Sequence, residues 1–144
     1  MKKMKVENTQ FSVVNEKNTE TSFSLKRMVN DGIFLYYQQK HRKFMYNEIL
    51  WIEASGSYCN IYMTGQRQIV FVYTLYQLYD KLPRDLFVRI HRSYVVNIYA
   101  VTGFLHKMIY IGENILPISS PYLSNVMSYF NCIDNRKLLA KQEE

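Results

Sequence analysis

Period-two patterning opens at residue 33, where Ile33, Leu35 and Tyr37 alternate with Phe34 and Tyr36. After the polar stretch Gln38-Gln39-Lys40-His41-Arg42 the chain returns through Phe44 and Tyr46. Side chains on a strand point alternately to its two faces, so two such runs around a polar turn predict a β-hairpin. Three further strands are expected at 49–53, 58–63 and 68–73, separated by Ala54-Ser55-Gly56-Ser57 and by a Gly65-Gln66 turn. The period then changes. Thr74 can cap a short helix in which Leu75, Leu78, Tyr79 and Leu82 share a face, and Pro83 stops it. Strands follow at 87–90 and about 95–98, and residues 99–105 and 108–111 are expected to continue the sheet. Gly112-Glu113-Asn114 then turns the chain into 115–118. Ser119 or Ser120 can cap a last helix with Pro121 in its first position and a stripe of Tyr122, Leu123, Val126, Met127 and Phe130.

These elements predict a mainly β protein with two short helices covering the ends of its sheets, and a strand spacing usual for sandwiches and barrels. The chain has 144 residues, 48% of them hydrophobic, enough for one domain with a real core and not for two. Residues 1–26 are polar and of mixed charge and read as a flexible arm. The folded domain is expected over 27–131, which holds all 13 tyrosines, and a polar tail over 132–144. No apolar run approaches the ~20 residues of a membrane-spanning helix, and no leader-like segment follows Met1, so a cytoplasmic protein without membrane contact is expected. Cys59 and Cys132 are too few for a disulfide framework or a four-thiolate zinc site.

The formal net charge of +6 favours a polyanionic partner. Enzyme chemistry finds little purchase. His91 and Ser93 can share a strand face, yet no nucleophile elbow with flanking glycines accompanies them. His41, His91 and His106 are scattered, which speaks against a metal site, and 5 glycines form no phosphate-binding loop. No cofactor is expected. Neither predicted helix has a basic face, so a helix-turn-helix is disfavoured. Cationic and hydrogen-bonding residues gather instead at turns: Lys40, His41, Arg42 and Lys43 in the first hairpin, and Arg89, His91, Arg92 and Ser93 between two later strands. Arg92 can grip guanine or a phosphate, His91 and Asn60 can meet base edges, and Ser93 and Tyr94 can donate to phosphate oxygens.

The segment Phe87-Val-Arg-Ile-His-Arg-Ser-Tyr-Val-Val-Asn97 resembles the signature of LytTR-type DNA-binding domains. The segment Ile49-Leu-Trp-Ile-Glu-Ala-Ser-Gly-Ser-Tyr-Cys-Asn-Ile61 is similar to the family's Glu-Ala turn and following strand, Thr74-Leu75 with Leu78 and Leu82-Pro83 to its short helix, and Leu116-Pro-Ile-Ser119 with Tyr122 to its closing motif. Order and spacing agree over roughly 33–130. The resemblance implies an elongated fold of small sheets whose loops enter successive major grooves of double-stranded promoter DNA carrying repeated half-sites, and no enzymatic activity. Carried over by position, it places Tyr58, Cys59 and Asn60, then His91, Arg92 and Ser93, and finally Ser119, Ser120 and Tyr122 at DNA. In many members the residue after the Ser119 equivalent is arginine. Here it is Ser120, followed by Pro121, so one cationic contact is missing.

Each candidate also has a plainer reading. Trp51 and Ile52 belong to a core, Glu53 can cap a turn or pair with a basic residue, and Asn97 suits bonding to backbone. Tyr94 can pack its ring under a loop, His91 can order the Arg92 turn, and Cys59 can be a small buried apolar residue. Because family members usually append this domain to a receiver or membrane segment, and the arm is too short for a receiver, a stand-alone regulator is expected. Dimerisation on DNA and a separate signalling partner are left open as its control. A protein-interaction module using sheet edges, and an RNA binder using exposed aromatics, are the alternative readings.

Overall fold

The computed structural model describes residues 29–136, so the expected arm over 1–26 and positions 137–144 of the expected tail lie outside the described residues. The described residues fall into two compact units that divide between Met45 and Tyr46. In the first, strands β1 (Gly32–Tyr37) and β2 (Lys40–Met45) make an antiparallel hairpin paired from Gly32↔Met45 to Tyr37↔Lys40. Leu35 and Phe44 are buried on one face, while Phe34 and Tyr36 are exposed on the other. The turn is tighter than the sequence suggested. Gln38 and Gln39 both take positive φ (54° and 72°), the geometry of the two-residue turns that match strand twist. Lys40, His41, Arg42 and Lys43, expected in the turn, therefore belong to β2. Arg42 Nε donates to the Tyr37 carbonyl at 3.0 Å, and Lys43 pairs with Asp31 at 2.7 Å.

The second unit is built on a five-stranded antiparallel sheet in the order β5-β4-β3-β7-β6. Its strands are β3 (Ile49–Ser55), β4 (Tyr58–Met63), β5 (Arg67–Phe71), β6 (Phe87–His91) and β7 (Tyr94–Asn97). Ile52 sits opposite Ile61 on one side and Val95 on the other, which puts these β-branched side chains on a common face. Helix α1 (Leu75–Tyr79) lies against β3 and buries Leu75 and Leu78. Thr74 accepts from the Gln77 amide while the Gln77 side chain accepts from the Thr74 amide, a reciprocal cap at the expected residue. The helix ends at Tyr79 rather than Leu82, although Leu82 remains buried.

The continuous sheet expected through 99–111 does not form. Asn97 ends β7 and accepts from the Tyr99 amide, starting a 3-10 turn over Ile98–Ala100 that breaks the ladder. The chain resumes in a separate three-stranded sheet of β8 (Gly103–Leu105), β9 (Met108–Ile111) and β10 (Asn114–Pro117). Helix α2 (Ser120–Met127) follows. Trp51, Val88, Ile90 and Val96 of the larger sheet share one core with Ile109, Ile111, Leu116, Ile118 and Val126. Among the described residues the fold is thus mainly β, with three small antiparallel sheets and two short α-helices, and none of these sheets closes into a barrel.

Candidate functional site

The antiparallel order sends the β3–β4 turn and the β6–β7 turn to the same end of the five-stranded sheet. Gly56 occupies the first turn at φ 63°, where any other residue would strain the left-handed backbone. The Ala54 amide donates to the Ser93 carbonyl at 2.8 Å, tying the two turns by main chain alone. Two residues beyond β10, the Ser119 amide donates to the Ile90 carbonyl at 2.9 Å. The start of α2 therefore meets the β6–β7 strand pair next to its turn.

Within the second turn the side chains divide into inward and outward groups. A register shift between Arg89 and His91 marks a bulge there, which re-aims the following side chains. Arg89, half-buried, donates Nε to the His91 carbonyl at 2.8 Å and Nη2 to the Arg92 carbonyl. One guanidinium thus holds two successive carbonyls, a task its planar fork performs and a lysine would not. His91 accepts the Ser93 amide on Nδ1 at 3.0 Å. A backbone N–H only donates, so the neutral ring carries its proton on Nε2. The result fixes the backbone around Arg92, whose side chain is exposed and has no carboxylate partner among the described residues.

Glu53 lies beneath both turns, opposite Asn60 on one neighbour and Tyr94 on the other. Among the described residues it forms no salt bridge with a basic side chain. Its carboxylate accepts from the Tyr62 hydroxyl at 2.9 Å and from the Tyr94 hydroxyl at 3.4 Å. Burial, and next the Glu53 carboxylate, push both phenols up from their ordinary value, Tyr62 and Tyr94 alike. Tyr94 thus turns its hydroxyl inward while its ring lies 5.4 Å from that of His91. Trp51 stacks on Tyr62 at 4.4 Å and anchors the cluster to the core.

The other candidates fall out as follows. Tyr58 is exposed and Asn60 half-buried at the first turn. Cys59 is fully buried and its Sγ donates to the Tyr73 carbonyl at 3.1 Å, so its side chain is withdrawn from the surface that the resemblance assigned to it. Ser119 caps α2 without a side-chain bond, Ser120 is exposed, and Tyr122 packs partly against the core. Lys40, Arg42 and Lys43 belong to the other unit. Two contributors were not singled out from the sequence. Arg89 looked like one more loop cation, although its position three residues before Arg92 was a usable signal. Lys107, whose Nζ donates to Ser120 Oγ at 2.7 Å, gave none, because that contact joins elements 13 residues apart.

Burial pushes the Cys59 thiol up to about 11, against a smaller opposing pull from Arg89. A raised value favours the protonated thiol of the folded state, so this stability is complete below about pH 9 and is lost as pH rises towards 11. Cys132 is exposed. A thiol-specific reagent at neutral pH is expected to label one cysteine per chain quickly and the second only after denaturant is added. Rapid labelling of both in the native protein would contradict the buried thiol.

Among the described residues no three His, Cys, Asp or Glu side chains gather as a metal site, and no helix is long and apolar enough to cross a membrane. Residues 39–131 match the family model of the LytTr DNA-binding domain. Among solved structures, the chain is similar to the LytTr DNA-binding domain of a putative methyl-accepting/DNA response regulator from Bacillus cereus. The identity is 19% and the TM-score 0.57, over 69% of this chain and 96% of that one. No curated protein matches the chain.

Proposed function

Because the chain belongs to the LytTR family of DNA-binding domains, we propose that it is a non-enzymatic transcriptional regulator that reads double-stranded promoter DNA through the two tied turns and the start of α2. The observation that carries this reading is Arg92. It is an exposed guanidinium without an acidic partner among the described residues, on a turn where the carbonyls of His91 and Arg92 are held by Arg89. A cation whose backbone is held in this way loses little main-chain freedom on grasping the O6 and N7 acceptors of guanine in a major groove, and its planar fork suits both acceptors at once. His91, with its proton on Nε2, adds a donor for an acceptor edge, and Ser93 a hydroxyl for phosphate. Tyr58 and Asn60 serve from the neighbouring turn, and Ser119 and Ser120 from the start of α2. Lys40, Arg42 and Lys43 are assigned to phosphates. Repeated half-sites on the DNA would seat two copies.

The test is a competition binding assay of the purified protein on DNA upstream of its own gene, against random duplex, at two salt concentrations. Selective binding that survives the higher salt is expected, since base contacts release no counterions. Weak binding to both duplexes that the higher salt erases overturns base readout and leaves a protein-interaction module as the better account.

A further inference from the structure

The turn joining β8 to β9 brings a second cation to the start of α2. His106 takes positive φ (56°) in this turn, and the Lys107 carbonyl accepts the Ile118 amide at 2.8 Å, which fixes the turn against the residues that lead into the helix. The Lys107 side chain reaches across, and its Nζ donates to Ser120 Oγ at 2.7 Å. Lys107 is exposed and has no carboxylate partner among the described residues. Ser120 is exposed as well. With an ammonium on its lone pair, the Ser120 hydroxyl is polarised and its own hydrogen is left to donate. The ammonium keeps two more hydrogens. Two adjacent donors, one of them a full positive charge, therefore face water next to a helix start that is pinned through Ser119 to Ile90, one residue before His91.

We infer that Lys107 and Ser120 form a phosphate clamp that grips one phosphodiester of the DNA strand flanking the groove read by Arg92. The inference rests on the DNA-binding reading above and deepens it by assigning one backbone contact. The clamp supplies from β8–β9 the cation that position 120 itself lacks. A lysine suits this place because the contact positions the backbone and needs a point charge rather than a planar fork. Being indifferent to base identity, it contributes to affinity and not to sequence choice.

The deciding measurement is the slope of log binding constant against log salt concentration for the full chain, on the selected duplex and on random duplex. Lys107→Gln is expected to make both slopes shallower by about 0.9, the counterion release of one phosphate contact, and to weaken both duplexes by the same factor. Lys107→Arg should restore the slope. Lys81→Gln, which removes an exposed lysine just past α1, serves as the control, with thermal melting to show that each variant is folded. If wild type binds and discriminates but Lys107→Gln keeps the full slope, or Lys81→Gln loses as much, the clamp is wrong and the regulator reading stands. If wild type binds no duplex, both fall together.

Discussion

Asn97→Ala should cost the fold about 3 kcal/mol, a large share of what a domain of this size holds in reserve. Asn97 is the one buried polar side chain in a core that is otherwise apolar among the described residues. Its Nδ2 donates to the carbonyls of Tyr46 at 3.2 Å and Ile49 at 3.0 Å, and its Oδ1 accepts the Tyr99 amide at 3.0 Å. Alanine deletes all three bonds and leaves the Tyr99 amide without its partner where β7 gives way to the 3-10 turn. Each net bond contributes about 1 kcal/mol, so the loss of three gives the expected cost. Urea denaturation would show a lower midpoint with an unchanged slope. Asn97→Asp separates hydrogen bonding from volume, because it keeps the acceptor for Tyr99 but sets a carboxylate oxygen against two carbonyls. It should destabilise at least as much. A wild-type midpoint in either variant would mean that these bonds are replaced without loss.

Arg92→Ala should weaken binding to the selected duplex by about 1–3 kcal/mol and leave random duplex less affected, if the guanidinium takes a bidentate base edge. Arg89→Met tests how that guanidinium is presented. It leaves Arg92 in place but frees the carbonyls of His91 and Arg92. Selective affinity should fall by a similar amount, and the double variant by much less than the sum, since the two residues act as one unit. Additive losses would show that Arg89 contributes to DNA affinity independently of the turn. Unchanged discrimination in Arg92→Ala would remove the central contact of the proposed site.

Much of the fold could be read from residue patterns, because local forces set them. Short apolar runs bounded by turn residues marked the strands that carry Ile52, Ile61 and Val95, and Thr74 marked a helix start because a cap bonds only three residues along the chain. The departures came where the deciding force is not local. Nothing in the composition announces that two adjacent glutamines will both take positive φ, yet this moved Lys40, His41, Arg42 and Lys43 from a turn into β2. The break between the two sheets follows from the triple bonding of Asn97, whose carbonyl partners lie about 50 residues earlier. The same limit applies at the candidate site. The Arg92 segment was legible as a motif, whereas the roles of Arg89, Glu53 and Lys107 depend on which carbonyl, hydroxyl or helix start the bulge and the second sheet bring alongside.

The link between the two turns is made by the Ala54 amide and the Ser93 carbonyl, and Arg89 grips carbonyls rather than side chains. None of these bonds consults the identity of residue 57 or 92. The scaffold therefore behaves as a socket with interchangeable tips. On the DNA-reading role proposed for these turns, replacing Ser57 and Arg92 together, while keeping Gly56, Arg89 and Ser93, offers a route to a new operator without redesigning the domain that carries them.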